Sequence, residues 1–157
     1  MEDLMTPTQV VYVQQSFALL RPRADTVAAR FYQRLFSLDP SVRPLFPDDL
    51  SSQGRKLMDM LGLVVQGLRR PESIAPAVQA LGRRHVEYGV DVAHYETVGA
   101  ALIWTLEQEL GPEFTAEVRA AWTTAYAYLS ALMSAAAGET SGPTRPRLQG
   151  DELLHRQ

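Results

Sequence analysis

The stretch Ser73-Ile-Ala-Pro-Ala-Val-Gln-Ala-Leu-Gly-Arg-Arg-His85 decides how the rest of the chain is read. Ile74, Val78, Leu81 and His85 are spaced four, three and four residues apart, which puts all four on one face of a helix. The imidazole therefore points where an apolar stripe points, inward. Three residues on, Tyr88-Gly89 predicts a stop, with glycine free to take the left-handed cap conformation. Two readings stand at this point: a core histidine satisfied by a hydrogen bond, or an axial ligand to a metal cofactor.

Working outward, the chain before His85 reads as helices broken by proline. Thr6-Pro7-Thr8-Gln9 predicts a helix start, with Thr6 as N-cap and Gln9 reaching back. Val10, Val13, Phe17 and Leu20 continue it until Pro22 interrupts. A second helix to about Leu38 carries Val27, Ala28, Phe31, Leu35 and Phe36 inward. Tyr32 sits among them, so its phenol is expected to be buried and to need a partner. Asp39-Pro40 predicts a short helix ending at Phe46-Pro47. Ser51-Ser52 is expected to cap a third long helix, along which Leu57, Leu61, Val64 and Leu68 recur. Gln53 lies four residues before Leu57 and extends that apolar face. Its amide is either at the protein edge or aimed at something polar inside. The helix fades at Arg69-Arg70-Pro71.

After His85, a helix of about 19 residues, about 28 Å long, is predicted from Asp91. Val92, Tyr95, Val98, Leu102, Leu106 and Leu110 line its apolar face, and Gly111-Pro112 ends it. The last helix is expected to start near Glu113 or Thr115, to bury Val118, Trp122, Ala125, Tyr126, Leu129, Leu132 and Met133, and to fray through Ala135 to Gly138. No stretch alternates with period two. The expectation is an all-α domain over residues 1–137, six to eight helices, with a flexible tail over 138–157.

Composition narrows the function. With 157 residues the chain is long enough for one domain with a sizeable core. A net charge of −3 does not suggest nucleic-acid binding, and no apolar run is long enough to span a bilayer. The N-terminus does not read as a secretory signal. With no cysteine, thiolate ligands, iron–sulfur clusters and thiol nucleophiles are excluded together, and a cytoplasmic protein is expected. There is no nucleotide-binding glycine motif. Of the three histidines, His155 is in the tail and His94 is expected at the surface; none pairs at helical metal-ligand spacing. One inward histidine holds a bare metal poorly, but it completes the coordination of a metal already held by four equatorial nitrogens, which is haem.

At this point the span from about Thr6 to Ala136 resembles a globin, of the bacterial flavohaemoglobin and single-domain type, with neuroglobin-like features. Leu81-Gly-Arg-Arg-His85 followed by Tyr95-Glu-Thr-Val-Gly99 is similar to the family's proximal region. Phe31-Tyr32-Gln-Arg-Leu-Phe36, Pro40 and Leu45-Phe46 are similar to its second helix and the following corner. Gln53-Gly-Arg-Lys-Leu57-Met58 is similar to the start of its distal helix, and Trp122 and Tyr126 match its last helix. The resemblance implies haem b (iron protoporphyrin IX) with His85 as the iron ligand. It implies that Phe46, Leu57, Val90, Tyr95 and Val98 lie against the cofactor. Tyr32 and Gln53 are implied on the distal side as hydrogen-bond donors to O2, NO or CO. In that family the proximal histidine is bonded into a Tyr–Glu pair. Tyr95 matches the tyrosine, but the glutamate's place falls at Ala137, with Glu139 two residues on. For Arg83 and Arg84 two readings stand: one of them pairs with a haem propionate, or both lie on the solvated surface.

The implied function is reversible binding of O2 and other diatomic gases, as a carrier or store, in a monomer or homodimer. The alternatives are nitric oxide dioxygenation with Tyr32 and Gln53 in the catalytic pocket and a separate flavin reductase, a haem-based gas or redox sensor, or a haem-free interaction module.

Overall fold

A computed structural model describes residues 5–87, 89–90 and 92–140. It contains six α-helices, and no strand occurs among the described residues. They are α1 (Pro7–Leu20), α2 (Ala24–Leu38), α3 (Ser51–Gly67), α4 (Pro71–Glu87), α5 (Val92–Leu110) and α6 (Ala116–Thr140). Short 3-10 turns at Arg21–Arg23, Pro40–Leu45 and Gly111–Glu113 link α1 to α2, follow α2 and link α5 to α6.

The punctuation residues act as their chemistry requires. The Thr6 hydroxyl accepts from the Gln9 amide N–H while the Gln9 side chain accepts from the Thr6 N–H, a reciprocal cap. The Asp39 carboxylate accepts from Ser41 at the start of the 3-10 turn. That element is 3-10 rather than α because Pro44 removes a donor from its middle. Gly89 has φ +92°, the left-handed conformation expected after α4; Tyr88 and Asp91, on either side, lie outside the described residues.

Two boundaries differ from the sequence expectation, the cap of α3 and the end of α6. Ser51 and Ser52 are inside α3, and Asp49 supplies the side-chain acceptor for the Ser51 N–H. A carboxylate two residues upstream therefore does what a serine cap was expected to do. Helix α4 starts at Pro71, since proline's missing N–H costs nothing in a first turn. Glu113 belongs to a 3-10 turn, and Thr115 caps α6 by accepting from the Val118 N–H. Helix α6 continues through Thr140 rather than fraying from Ala135. The expected tail beyond it, 141–157, lies outside the described residues.

Packing pairs α4 most closely with α6, α2 with α5 and α1 with α6; α3 and α4 touch only lightly. The close approach of α4 to α6 depends on Gly82: a Cβ there would stand 2.5 Å from the Met133 carbonyl oxygen. At the centre Val13, Leu20, Val78, Thr105 and Leu106 are fully buried. Trp122 donates its indole N–H to the Ser16 hydroxyl at 2.8 Å, tying α6 to α1 and satisfying a buried donor. The Glu109 carboxylate, 5% exposed, is gripped by Arg23 and Arg30, which staples the end of α5 to the beginning of α2. These helix crossings leave a space that α2, α3, α4, α5 and α6 enclose between them.

Candidate functional site

That space is a cavity of about 790 Å³. Native cores leave few voids larger than a water molecule, so a mostly apolar space of this size is built to be filled. Its volume lies in the range, roughly 300–1,000 Å³, that encloses a ligand of a few dozen atoms. All eight residues singled out from the sequence line it: Tyr32 from α2, Phe46 from the loop after the 3-10 turn, Gln53 and Leu57 from α3, His85 from α4, Val90, and Tyr95 and Val98 from α5. Their spread over six segments is what a fold, rather than a local motif, brings together.

His85 is partly buried, and the ring is held neutral. Burial, and then the neighbouring charge of Arg84, push its pKa down to about 4. A neutral imidazole has one lone pair to offer a metal. Nδ1 lies 3.4 Å from the Tyr95 hydroxyl; with Nδ1–H donating toward that oxygen, the lone pair falls on Nε2. Tyr95 is itself positioned by α6: the Tyr126 hydroxyl donates to the Tyr95 carbonyl oxygen at 2.6 Å. Gly99 makes room for that contact, because a Cβ there would be 2.7 Å from the Tyr126 ring. Burial raises the pKa of both phenols, so both remain protonated donors. The side chains of Ala137 and Glu139 lie outside those described.

Elsewhere in the cavity Tyr32 is 4% exposed, and burial pushes its pKa up against a smaller opposing pull from the Gln53 side chain. Its hydroxyl donates to the Gln53 carbonyl oxygen at 3.5 Å, a long bond for an O–H donor. The Gln53 Oε1 atom is buried with no hydrogen-bond partner. A half-turn of the amide would exchange this acceptor for an N–H donor. The cavity thus holds one weakly engaged hydroxyl and one orphaned amide, and burying such groups without partners is costly. They fit a small polar ligand beside a large apolar one.

Phe46 makes the wall between these features. Its ring meets those of Tyr32 and Phe36 edge-on, at 5.4 Å in each case. The loop carrying it is clamped by Arg43, whose guanidinium donates to the carbonyls of Phe46, Pro47 and Asp48 and lies over the Phe36 ring. Nothing in the sequence reading singled out Arg43; the one available signal was a lone arginine beside a proline-rich corner. His94 also departs from expectation: it is partly buried and lines the cavity. It stands one residue from Tyr95 near the start of α5. Arg84 lines the cavity too, while Arg83 does not. Among the described residues no group of His, Cys, Asp and Glu could hold a bare metal ion.

The sequence profile of the Globin family matches residues 29–133, two thirds of the chain. The chain belongs to the globin family. This globin is 27% identical over 136 residues to a flavohemoprotein of Xylella fastidiosa, covering 85% of the chain and 34% of that protein. It is 28% identical over 131 residues to a flavohemoprotein of Vibrio cholerae, covering 81% and 33%. The chain therefore spans about a third of the length of these curated relatives. Among solved structures, a bacterial globin of Campylobacter jejuni superposes with a TM-score of 0.77 at 22% identity, over 85% of this chain and 97% of that one. A carbene transferase engineered from a Rhodothermus marinus protein, provisionally named a nitric oxide dioxygenase, also gives 0.77, at 24% identity and over 86% and 94%. The globin fold accounts for a cavity enclosed by helices from both ends of the chain, and membership implies haem as its occupant. The residues present fit that group: an apolar enclosure, a neutral imidazole, cationic side chains at the rim and unpartnered polar atoms inside.

Proposed function

We propose that this globin holds haem b through His85 and reversibly binds O2 and other diatomic gases on the side of Tyr32 and Gln53. One observation carries the reading. A single cavity brings a neutral imidazole on α4 together with a loosely bonded phenol on α2 and an orphaned amide on α3. Bound haem would supply an iron with one position left for a diatomic ligand.

The chain's own groups do the rest. His85 supplies the iron ligand, and Tyr95 orients its ring through Nδ1. Phe46, Leu57, Val90 and Val98 exclude water and wall in the tetrapyrrole. Arg84 offers a cation for a propionate. Tyr32 holds its proton at the oxygen because burial raises its pKa, so it remains a donor at physiological pH. Gln53 presents its amide from the next helix.

A second reading is nitric oxide dioxygenation, with electrons supplied by a flavin reductase. Two polar donors beside the gas position favour it. The names of the relatives, flavohemoprotein and nitric oxide dioxygenase, point the same way. The cysteine-free chain suits a reducing, cytoplasmic setting, and no helix among the described residues is long and apolar enough to cross a membrane.

The test of the binding reading is a haemin titration of apoprotein, wild type against His85→Gly. Wild type should take up one equivalent. The variant should lose haem at least about tenfold faster and regain a ligated spectrum with added imidazole. Equal retention with no imidazole response would show that another side chain, or none, holds the iron.

A further inference from the structure

The Tyr32 phenol is held by its ring rather than by its hydroxyl. The bond from that hydroxyl to the Gln53 carbonyl oxygen is 3.5 Å long, beyond the distance at which an O–H donor is firmly engaged. The ring has three aromatic neighbours. Phe31 meets it edge-on at 5.0 Å, Phe36 stacks on it at 6.0 Å with 26° between the planes, and Phe46 meets it edge-on at 5.4 Å. Where the phenol points is therefore decided by where those rings stand.

Phe31 is buried in the middle of α2 and is fixed by that helix. Phe36 and Phe46 are only partly buried. The first is in the last turn of α2 and the second is in the loop that leads to α3. Helix ends and loops are the segments that open most readily. One side chain holds both. Arg43 Nη1 donates to the carbonyl oxygens of Phe46 and Pro47 at 3.3 and 3.0 Å, and Nη2 donates to that of Asp48 at 3.2 Å. Its Cζ lies over the Phe36 ring, 5.0 Å from the centroid. The Arg43 carbonyl oxygen also accepts from the Phe46 N–H at 3.1 Å. Three successive carbonyls and an aromatic face call for a planar cation with several fixed donors, which arginine supplies and lysine does not.

We propose that Arg43 is a positioning residue for gas binding: by holding Phe36 and Phe46 together it keeps the Tyr32 hydroxyl at one place in the cavity. The inference rests on the reading of Tyr32 as the donor on the gas side of haem. Arg43 itself does not line the cavity, so it acts through the aromatic rings. Two consequences separate this role from a contribution to folding alone. The effect of Arg43 on gas release must vanish when Tyr32 has no hydroxyl to place. The effect must also stay on the Tyr32 side, because His85 is tied instead to Tyr95 on α5.

The experiment is a double-mutant cycle on the holoprotein. Arg43→Ala should speed O2 release at least about fivefold in the wild-type background and less than about twofold in the Tyr32→Phe background. The infrared spectrum of the CO complex should change from one C–O stretching band to two. The new band should lie at higher frequency, from molecules whose CO has lost its donor. The stretch of the bond between iron and His85 in the ferrous protein should stay where it is. Equal acceleration in both backgrounds, or a single unshifted C–O band, would overturn the proposal. If Arg43→Ala does not fold, Arg43→Lys takes its place: it keeps the charge but loses the fork, and should speed release at least about twofold with the same dependence on Tyr32. If the protein takes up no haem, the haem reading fails on its own, and the ring signals of 13C-labelled tyrosine in the full chain decide the positioning claim. Loss of the Arg43 fork should shift or split the Tyr32 signal and leave that of Tyr126 in place; an unchanged Tyr32 signal would overturn the claim.

Discussion

At the scale of single residues, Tyr32 joins burial to chemistry most directly. It belongs to the apolar face of α2, is almost completely buried, and has no close hydrogen-bond acceptor. A phenol in that position gives up hydration and regains it only when a ligand arrives. A hydrogen bond to a ligand with anionic character is worth about 1.5–3 kcal/mol, so Tyr32→Phe should speed O2 release about 10- to 150-fold in flash photolysis or stopped flow. Because burial raises the Tyr32 pKa above its ordinary value near 10, wild-type O2 release should be flat between roughly pH 6 and 9 as far as this group is concerned. An off-rate unchanged by the substitution would mean that the phenol serves the core alone. The residues on which this rests could be picked from the sequence, because helical spacing turned Tyr32, Gln53 and His85 inward while their polar atoms demanded partners. His94 could not. Its place at the cavity depends on how the start of α5 is set against α4, and periodicity within one helix carries no information about that.

At the scale of elements, the proximal side is built by contact between α4, α5 and α6. Gly82 lets the α4 and α6 backbones meet, and Gly99 admits the Tyr126 ring whose hydroxyl holds the Tyr95 backbone. Gly82→Ala would press a methyl group against a carbonyl oxygen, and backbone cannot swing aside as a side chain can. A cost of about 1–3 kcal/mol is expected, or roughly 2–4 °C in Tm per kcal/mol for a chain of this size. A thermal melt unchanged by this substitution would show that α4 and α6 separate at little cost. Helix number, order and inner faces were readable because caps and prolines mark the ends and three- and four-residue steps mark the stripes. The cap of α3 was misplaced for one reason. Several residues near that end could cap or open the first turn, and tertiary packing selects among them. The Glu109 staple was invisible for another reason: it joins segments whose meeting only the fold determines, whereas the Arg43 clamp is local and carries no periodic signal.

At the scale of the molecule, the chain forgoes part of its core. About 790 Å³ enclosed by largely apolar side chains is stabilising only when something occupies it. The apoprotein should therefore be markedly less stable than the holoprotein. A ligand present at a thousand times its dissociation constant adds about 4.1 kcal/mol. For a domain of this size that corresponds to a rise of at least about 8 °C in Tm when haemin is added. Scanning calorimetry with and without haemin measures it, and coincident melts would mean that the cavity is not a haem site.

The most direct test of the central claim, that His85 holds haem with a free gas position beside Tyr32 and Gln53, is the visible absorption spectrum of the purified protein in its ferric, ferrous and oxygenated forms. The account predicts a Soret band, a five-coordinate ferrous spectrum and an oxygenated form that persists. A colourless protein that takes up no haemin, or a ferrous spectrum already six-coordinate without added gas, would contradict it.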